Sequence, residues 1–155
     1  MHLSYIIIPV VAILVAFIGA RLTSRSVATW YRGIRKPSWT PPGNVIGAVW
    51  TVLYILAALS ALIVWNLPGG VSVPVPVVVL FILNAVVNVL WSYIFFYLHK
   101  MGPAIWVCLL LDLTIILLIQ FISPISVLAA WLLVPYAAWV TFASYLNYSV
   151  WAMNR

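Results

Sequence analysis

Residues 75–98 read VPVVVLFILNAVVNVLWSYIFFYL, with no charged side chain among them. Crossing a hydrocarbon core takes about 20 apolar residues at about 1.5 Å rise each, so this stretch is long enough to span a bilayer as one helix. Four of its residues are also spaced for one helix face. Asn84, Asn88, Trp91 and Phe95 follow one another at four, three and four residues, which sets them on a single stripe. An amide is costly against lipid, so the stripe predicts an inward-facing surface.

Four further segments meet the same length: 5–23, 45–67, 104–121 and 127–152. The breaks between them are 24–44, Pro68-Gly69-Gly70, His99-Lys100-Met101-Gly102-Pro103 and Ser123-Pro124. Backbone groups left unpaired in lipid are expensive, so each apolar segment is expected to be helical. Composition points the same way. Apolar residues make up 67% of the chain and charged residues 5%, more apolar surface than a soluble domain of 155 residues can hide. The expected fold is all-α: one integral membrane domain over 1–155, a bundle of five transmembrane helices with a loop at 24–44. The first segment lacks a basic leader and a small-residue cleavage site, so it reads as a retained span rather than a signal peptide.

The net charge of +6 would suggest nucleic acid in a soluble protein. Here the basic residues read as topology signals and lipid-headgroup contacts, and no nucleic-acid partner is expected. Arg21, Arg25, Arg32, Arg35 and Lys36 lie at or beyond the end of the first span, Lys100 follows the third and Arg155 the fifth. With five spans these regions share one side of the membrane. The tendency of positive charge to stay inside then predicts an outer N-terminus and an inner C-terminus. Cys108 is the single cysteine, so no disulfide forms within the chain. His2 and His99 have no second ligand at metal spacing, and no metal site is expected. No nucleophile–base pair, phosphate loop or paired carboxylates are present.

Three stripes converge on the expected interior. The third span supplies Asn84, Asn88, Trp91 and Phe95. The second presents Trp50 and Tyr54 one turn apart, after Gly43 and Gly47. The fifth carries Pro135, Trp139, Ala143 and Asn147 at four-residue spacing, with Phe142 and Leu146 beside them. Stacking surfaces with a few Asn, Tyr and Trp hydrogen-bonding groups would suit a flat aromatic ligand. Trp and Tyr also form interfacial belts, and Asn also bonds neighbouring helices, so the same residues allow a purely structural reading. Asp112 is the only acidic residue and lies inside a span. Its cost at mid-membrane, about 3 kcal/mol, needs either a proton or cation role or a hydrogen bond to a neighbouring helix.

Several blocks resemble the translocator protein (TspO/MBR) family, also called tryptophan-rich sensory proteins or peripheral-type benzodiazepine receptors. They are Trp30-Tyr31, Lys36-Pro37-Ser38-Trp39-Thr40-Pro41-Pro42-Gly43, Trp50-Thr51-Val52-Leu53-Tyr54, Asn88 to Ser92, Pro135-Tyr136-Ala137-Ala138-Trp139 and Leu146-Asn147-Tyr148. The resemblance covers nearly the whole chain in order. It implies a five-helix bundle, usually a homodimer, whose cavity is closed by the loop between the first two spans. In that loop Trp30, Lys36, Pro37, Ser38, Pro41 and Pro42 would form the lid.

The resemblance also implies binding of protoporphyrin IX and related tetrapyrroles, of benzodiazepine-type drugs, and in some members of sterol. Trp39, Trp50, Asn84, Trp139 and Ala143 match the family's contact positions, with Tyr54, Asn88, Phe142 and Leu146 nearby. Some bacterial members are reported to degrade protoporphyrin in light and oxygen, and the tryptophans tied to that activity match Trp50 and Trp139. Three functions follow as expectations: a tetrapyrrole receptor needing no cofactor, a photo-oxidative enzyme with Trp50 and Trp139 as its catalytic residues, and a porphyrin or sterol transporter coupled through Asp112. An odd number of spans and the lack of an internal repeat weigh against the transporter. Two departures stand out. Ala48 occupies a position that is often Pro in the family. The basic residue of the animal sterol motif falls one place too far from Tyr148, at Arg155. A bacterial membrane is the expected location.

Overall fold

The computed structural model describes residues 3–68 and 72–155, so His2 and the glycines of the predicted break at 68–70 lie outside the described residues. Its helices are α1 (Ser4–Ala28), a single turn α2 (Trp30–Gly33), α3 (Gly43–Trp65), α4 (Val75–Ser92), α5 (Met101–Ile122) and α6 (Val127–Met153). A π-helical turn, Tyr93–Tyr97, extends α4, so the third span runs from Val75 to Tyr97. Five helices are long and apolar enough to cross a membrane, and no strand occurs among the described residues.

The expected boundaries shift in places, each for a local reason. α1 runs on past Thr23 to Ala28, because Thr29 Oγ1 and Ser26 Oγ have partners on neighbouring backbone and on His99. The predicted loop at 24–44 therefore shrinks to the short segment around α2 and the extended chain after it. α5 starts at Met101, ahead of the predicted 104, because Pro103 lies in the first turn, where its missing N–H costs no helical bond. The π turn was not predicted. His99 ends it with φ of 56°, in the left-handed region where His is tolerated better than bulkier residues. There the Lys100 N–H donates back to the Ile94 carbonyl at 3.0 Å.

Burial follows helical periodicity. On α5, Cys108, Leu111, Ile115, Leu118 and Ile122 alternate three and four residues apart and are buried. They pack on Ala129, Leu133 and Val140 of α6 and on Val77, Leu80 and Val87 of α4. Ser60 Oγ on α3 donates to the Ala129 carbonyl on α6 at 2.8 Å, which ties α3 to the same core. α1 is the loosest span, with only Gly19 and Ser26 buried. Trp106 near the start of α5 and Trp131 near the start of α6 are 75% and 66% exposed. They sit near opposite ends of the bundle, where indoles favour the two membrane interfaces.

Candidate ligand cavity

The second half of α1, the first half of α3, the end of α4 with its π turn, and the second half of α6 enclose a cavity of about 310 Å³. Trp50 and Tyr54 reach it from α3, Asn88 and Trp91 from α4, and Trp139, Phe142, Ala143 and Leu146 from α6. α1 closes one side at Gly19, where a Cβ would make only ordinary van der Waals contact with Ser92 Oγ at 3.8 Å and Tyr54 Oη at 3.9 Å. Aromatic rings dominate the wall. Trp50 lies 5.6 Å from Tyr54 and 6.3 Å from Trp91 between ring centroids, and Trp139 lies 5.3 Å from Phe142. These spacings suit aromatic pairs, whose faces a flat apolar ligand can cover.

A directional chain of hydrogen bonds forms the inner end of the cavity. Tyr54 Oη donates to Asn88 Oδ1 at 2.8 Å, and Asn88 Nδ2 donates to Tyr136 Oη at 2.9 Å. Tyr136 Oη donates to Asn84 Oδ1 at 3.1 Å, and Asn84 Nδ2 to Thr114 Oγ1 at 2.9 Å. Thr114 Oγ1 then donates to the Leu111 carbonyl. This chain links α3, α4, α5 and α6 and satisfies polar groups that would be costly alone in an apolar interior. Trp91 Nε1 is paired as well, donating to Asn147 Oδ1 at 3.2 Å. Trp139 differs. Its indole Nε1 is buried and has no hydrogen-bond partner among the described residues.

Seven residues expected to contact a ligand line this cavity: Trp50, Tyr54, Asn88, Trp139, Phe142, Ala143 and Leu146. Trp39 and Asn84 do not. Trp39 is 44% exposed, stacks on Tyr145 at 5.5 Å, and touches the outer side of Phe142 at 5.8 Å. Asn84 is turned toward Tyr136 and Thr114. Asp112 lines no part of the cavity. It is half-buried at the seam between α5 and α6, where Thr141 Oγ1 donates to its Oδ2 at 2.8 Å. Its Oδ1 is buried without a partner among the described residues.

On α6 the spacing argument chose the wrong neighbour. Pro135 is exposed and Tyr136 is buried. The signal was present in the sequence: Tyr136, Val140, Ser144 and Asn147 recur at four, four and three residues, and all are buried. No group of three or more His, Cys, Asp or Glu side chains suited to a metal gathers among the described residues.

The segment expected to act as lid lies at the cavity's end of the bundle and is pinned at several points. Trp30 stacks on His99 at 4.3 Å and meets the edge of Phe95 at 5.7 Å. Tyr31 lines the cavity and packs on Phe95 and Phe96. Its burial pushes the phenol above its ordinary value. Lys36 Nζ donates to the Tyr31 carbonyl and sits 4.5 Å from the Tyr31 ring centroid. Thr40 folds Pro37, Ser38 and Trp39 into a turn, its N–H and hydroxyl both donating to the Pro37 carbonyl. Pro41 and Pro42 then lead into α3, with Pro42 as its N-cap. Asn154, just past α6, bonds both backbone groups of Arg35, at 3.0 and 2.8 Å. Trp30, Lys36, Pro37, Ser38, Pro41 and Pro42 themselves lie outside the cavity lining.

The model of the TspO/MBR family matches residues 7–152. The tryptophan-rich protein TspO of Bacillus cereus is 44% identical over 126 residues, covering 81% of each chain. That of Archaeoglobus fulgidus is 35% identical over 155 residues, covering 99% of each. The human translocator protein is 37% identical over 140 residues, covering 90% of this chain and 83% of its own. The chain belongs to the TspO/MBR family and is a multi-pass integral membrane protein.

Proposed function

We propose that this protein is a membrane receptor for tetrapyrroles, protoporphyrin IX above all, and for other flat aromatic ligands including benzodiazepine-type drugs. The observation that carries the reading is the aromatic cavity lined by Trp139, whose buried indole N–H has no hydrogen-bond partner among the described residues. An apolar macrocycle would stack on Trp50, Trp91 and Phe142. An acceptor on it would meet the Trp139 N–H. The carboxylates of a porphyrin would turn toward the lid end, where Arg21, Arg25, Arg32, Arg35 and Lys36 gather. At about 310 Å³ the cavity is near the lower end of ligand pockets, about 300–1,000 Å³. A macrocycle therefore enters with a displacement of α1, the least buried wall. No cofactor is required. A homodimer is the proposed assembly.

All seven basic residues lie in three segments: the end of α1 with the stretch after it, the turn after the third span, and the chain after α6. We place that end in the cytoplasm of a bacterium and the N-terminus outside. A membrane-impermeant maleimide applied to intact cells should label Ser72→Cys and spare Lys100→Cys; the reverse pattern would invert the topology.

A second reading is an enzyme in which Trp50 and Trp139 act on photoexcited porphyrin. It is favoured by both indoles lining one cavity. A protoporphyrin IX titration in bilayer nanodiscs, in the dark and then under light, separates the two. Saturable quenching of tryptophan fluorescence without spectral change supports the receptor. A new absorption band lost in Trp50→Phe and Trp139→Phe supports the enzyme. Absence of saturable quenching removes both.

A further inference from the structure

A second cavity, of about 410 Å³, lies between α1, α3 and α4. It uses the halves of these helices that the first cavity leaves free: residues 7–15 of α1, 54–65 of α3 and 81–88 of α4. The two cavities are therefore stacked end to end along the bundle. Tyr54 and Asn88 line both and form the partition between them. The space exists because α3 presents Ala57, Ala58 and Ala61 where larger side chains would close the gap to α1. Ile7, Val11, Ile82 and Val86 form its rim and are 45% to 60% exposed on the outer surface, so the cavity opens sideways toward the bilayer. No charged residue lines it.

Its inner end carries unused polar capacity. Asn84 and Asn88 are 8% and 2% exposed. Each amide nitrogen bears two hydrogens. Asn84 gives one to Thr114 and Asn88 gives one to Tyr136, and the second hydrogen of each has no acceptor among the described residues. Buried donors without acceptors are costly, and an oxygen on a ligand would satisfy them. A charged ligand would find no counter-charge, while a bare hydrocarbon would leave the donors unpaired.

We propose that this cavity is a second binding site, distinct from the aromatic one, for a neutral lipid-type amphiphile. Its ligand has an aliphatic body lying among the alanines of α3 and one oxygen acceptor reaching Asn84 and Asn88. It enters sideways from the bilayer between α1 and α4. The site stands independently of tetrapyrrole binding.

The test uses the full chain in nanodiscs with two probes: hexadecanol bearing a mid-chain diazirine, and the same chain without the hydroxyl. Cross-linked residues are mapped by mass spectrometry. Saturable adducts within residues 7–15 and 81–88, displaced by unlabelled hexadecanol, are expected. One hydrogen bond should make the alcohol label about fivefold more effectively than the alkane at equal concentration. Ala58→Phe should abolish the saturable component while keeping the helical circular dichroism of the parent. Asn84→Leu should erase the preference for the alcohol. Equal labelling of the wild type by both probes would overturn the proposal. So would adducts that never saturate and match those on the outward-facing Trp106 and Trp131. Both of these outcomes are read on the wild type, whatever the variants do.

Discussion

Removing one oxygen from Tyr136 tests whether the hydrogen-bond chain holds the bundle together. Tyr136 is 2% exposed and its hydroxyl makes two bonds between helices, accepting from Asn88 and donating to Asn84. Tyr136→Phe keeps the ring and its packing. Interhelical hydrogen bonds inside membranes contribute about 0.6 kcal/mol each on average and about 1.7 at most, so losing two predicts a destabilisation between about 1 and 3 kcal/mol. The lower figure corresponds to about a fivefold change in the unfolding constant. The upper end applies if the freed Asn88 N–H and Asn84 carbonyl find no new partner. Equilibrium unfolding in mixed micelles with a denaturing detergent measures it. Asn88→Leu shares the Asn88–Tyr136 bond with this variant, so the double variant should cost about 0.6 kcal/mol less than the sum of the singles. Unchanged or raised stability in Tyr136→Phe, or strict additivity in the cycle, would refute the reasoning.

Other outcomes follow from the same geometry. Trp139→Phe removes the buried indole N–H that lacks a partner; it should leave stability unchanged or slightly higher and weaken protoporphyrin IX binding about tenfold, measured by fluorescence quenching. Asp112→Asn keeps an acceptor for Thr141 and touches no part of the aromatic cavity; affinity should stay within about twofold, and loss of vesicle uptake in this variant would instead revive the transporter reading. Asn154→Ala cuts both bonds to the Arg35 backbone; hydrogen exchange should rise at residues 34–36 and ligand release should quicken, with the five spans unaffected.

The spans were legible because lipid imposes a length and a polarity that composition cannot disguise. The buried stripe of α4 was legible for the same reason: Asn84 and Asn88 had nowhere else to face. The π turn was not. Nothing in Tyr93–Tyr97 marks a change of helical pitch, and it depends on the left-handed backbone of His99 and its contacts with Ser26 and Trp30. Pro135 was taken for an inward residue because its four-residue spacing to Trp139 is as regular as that of Tyr136 to Val140. Only the packing of α6 on α5 decides between two stripes one residue apart. Asp112 shows the limit of reasoning from cost alone. An isolated carboxyl demands a partner, and the sequence cannot say that Thr141, on the next span, supplies it. Trp39 is a similar case. The motif placed it among the contact residues, yet it packs on Phe142 and Tyr145 and lines no part of the cavity.

The central claim is that a tetrapyrrole occupies the cavity between Trp50 and Trp139. Its most direct test is the dissociation constant of protoporphyrin IX in nanodiscs for the wild type and for Ala143→Phe, which places a ring inside the cavity. Saturable binding that weakens by more than about tenfold, 1.4 kcal/mol, with helical content retained, is the predicted result. Equal affinity in the two proteins, or no saturable binding to the wild type, would contradict it.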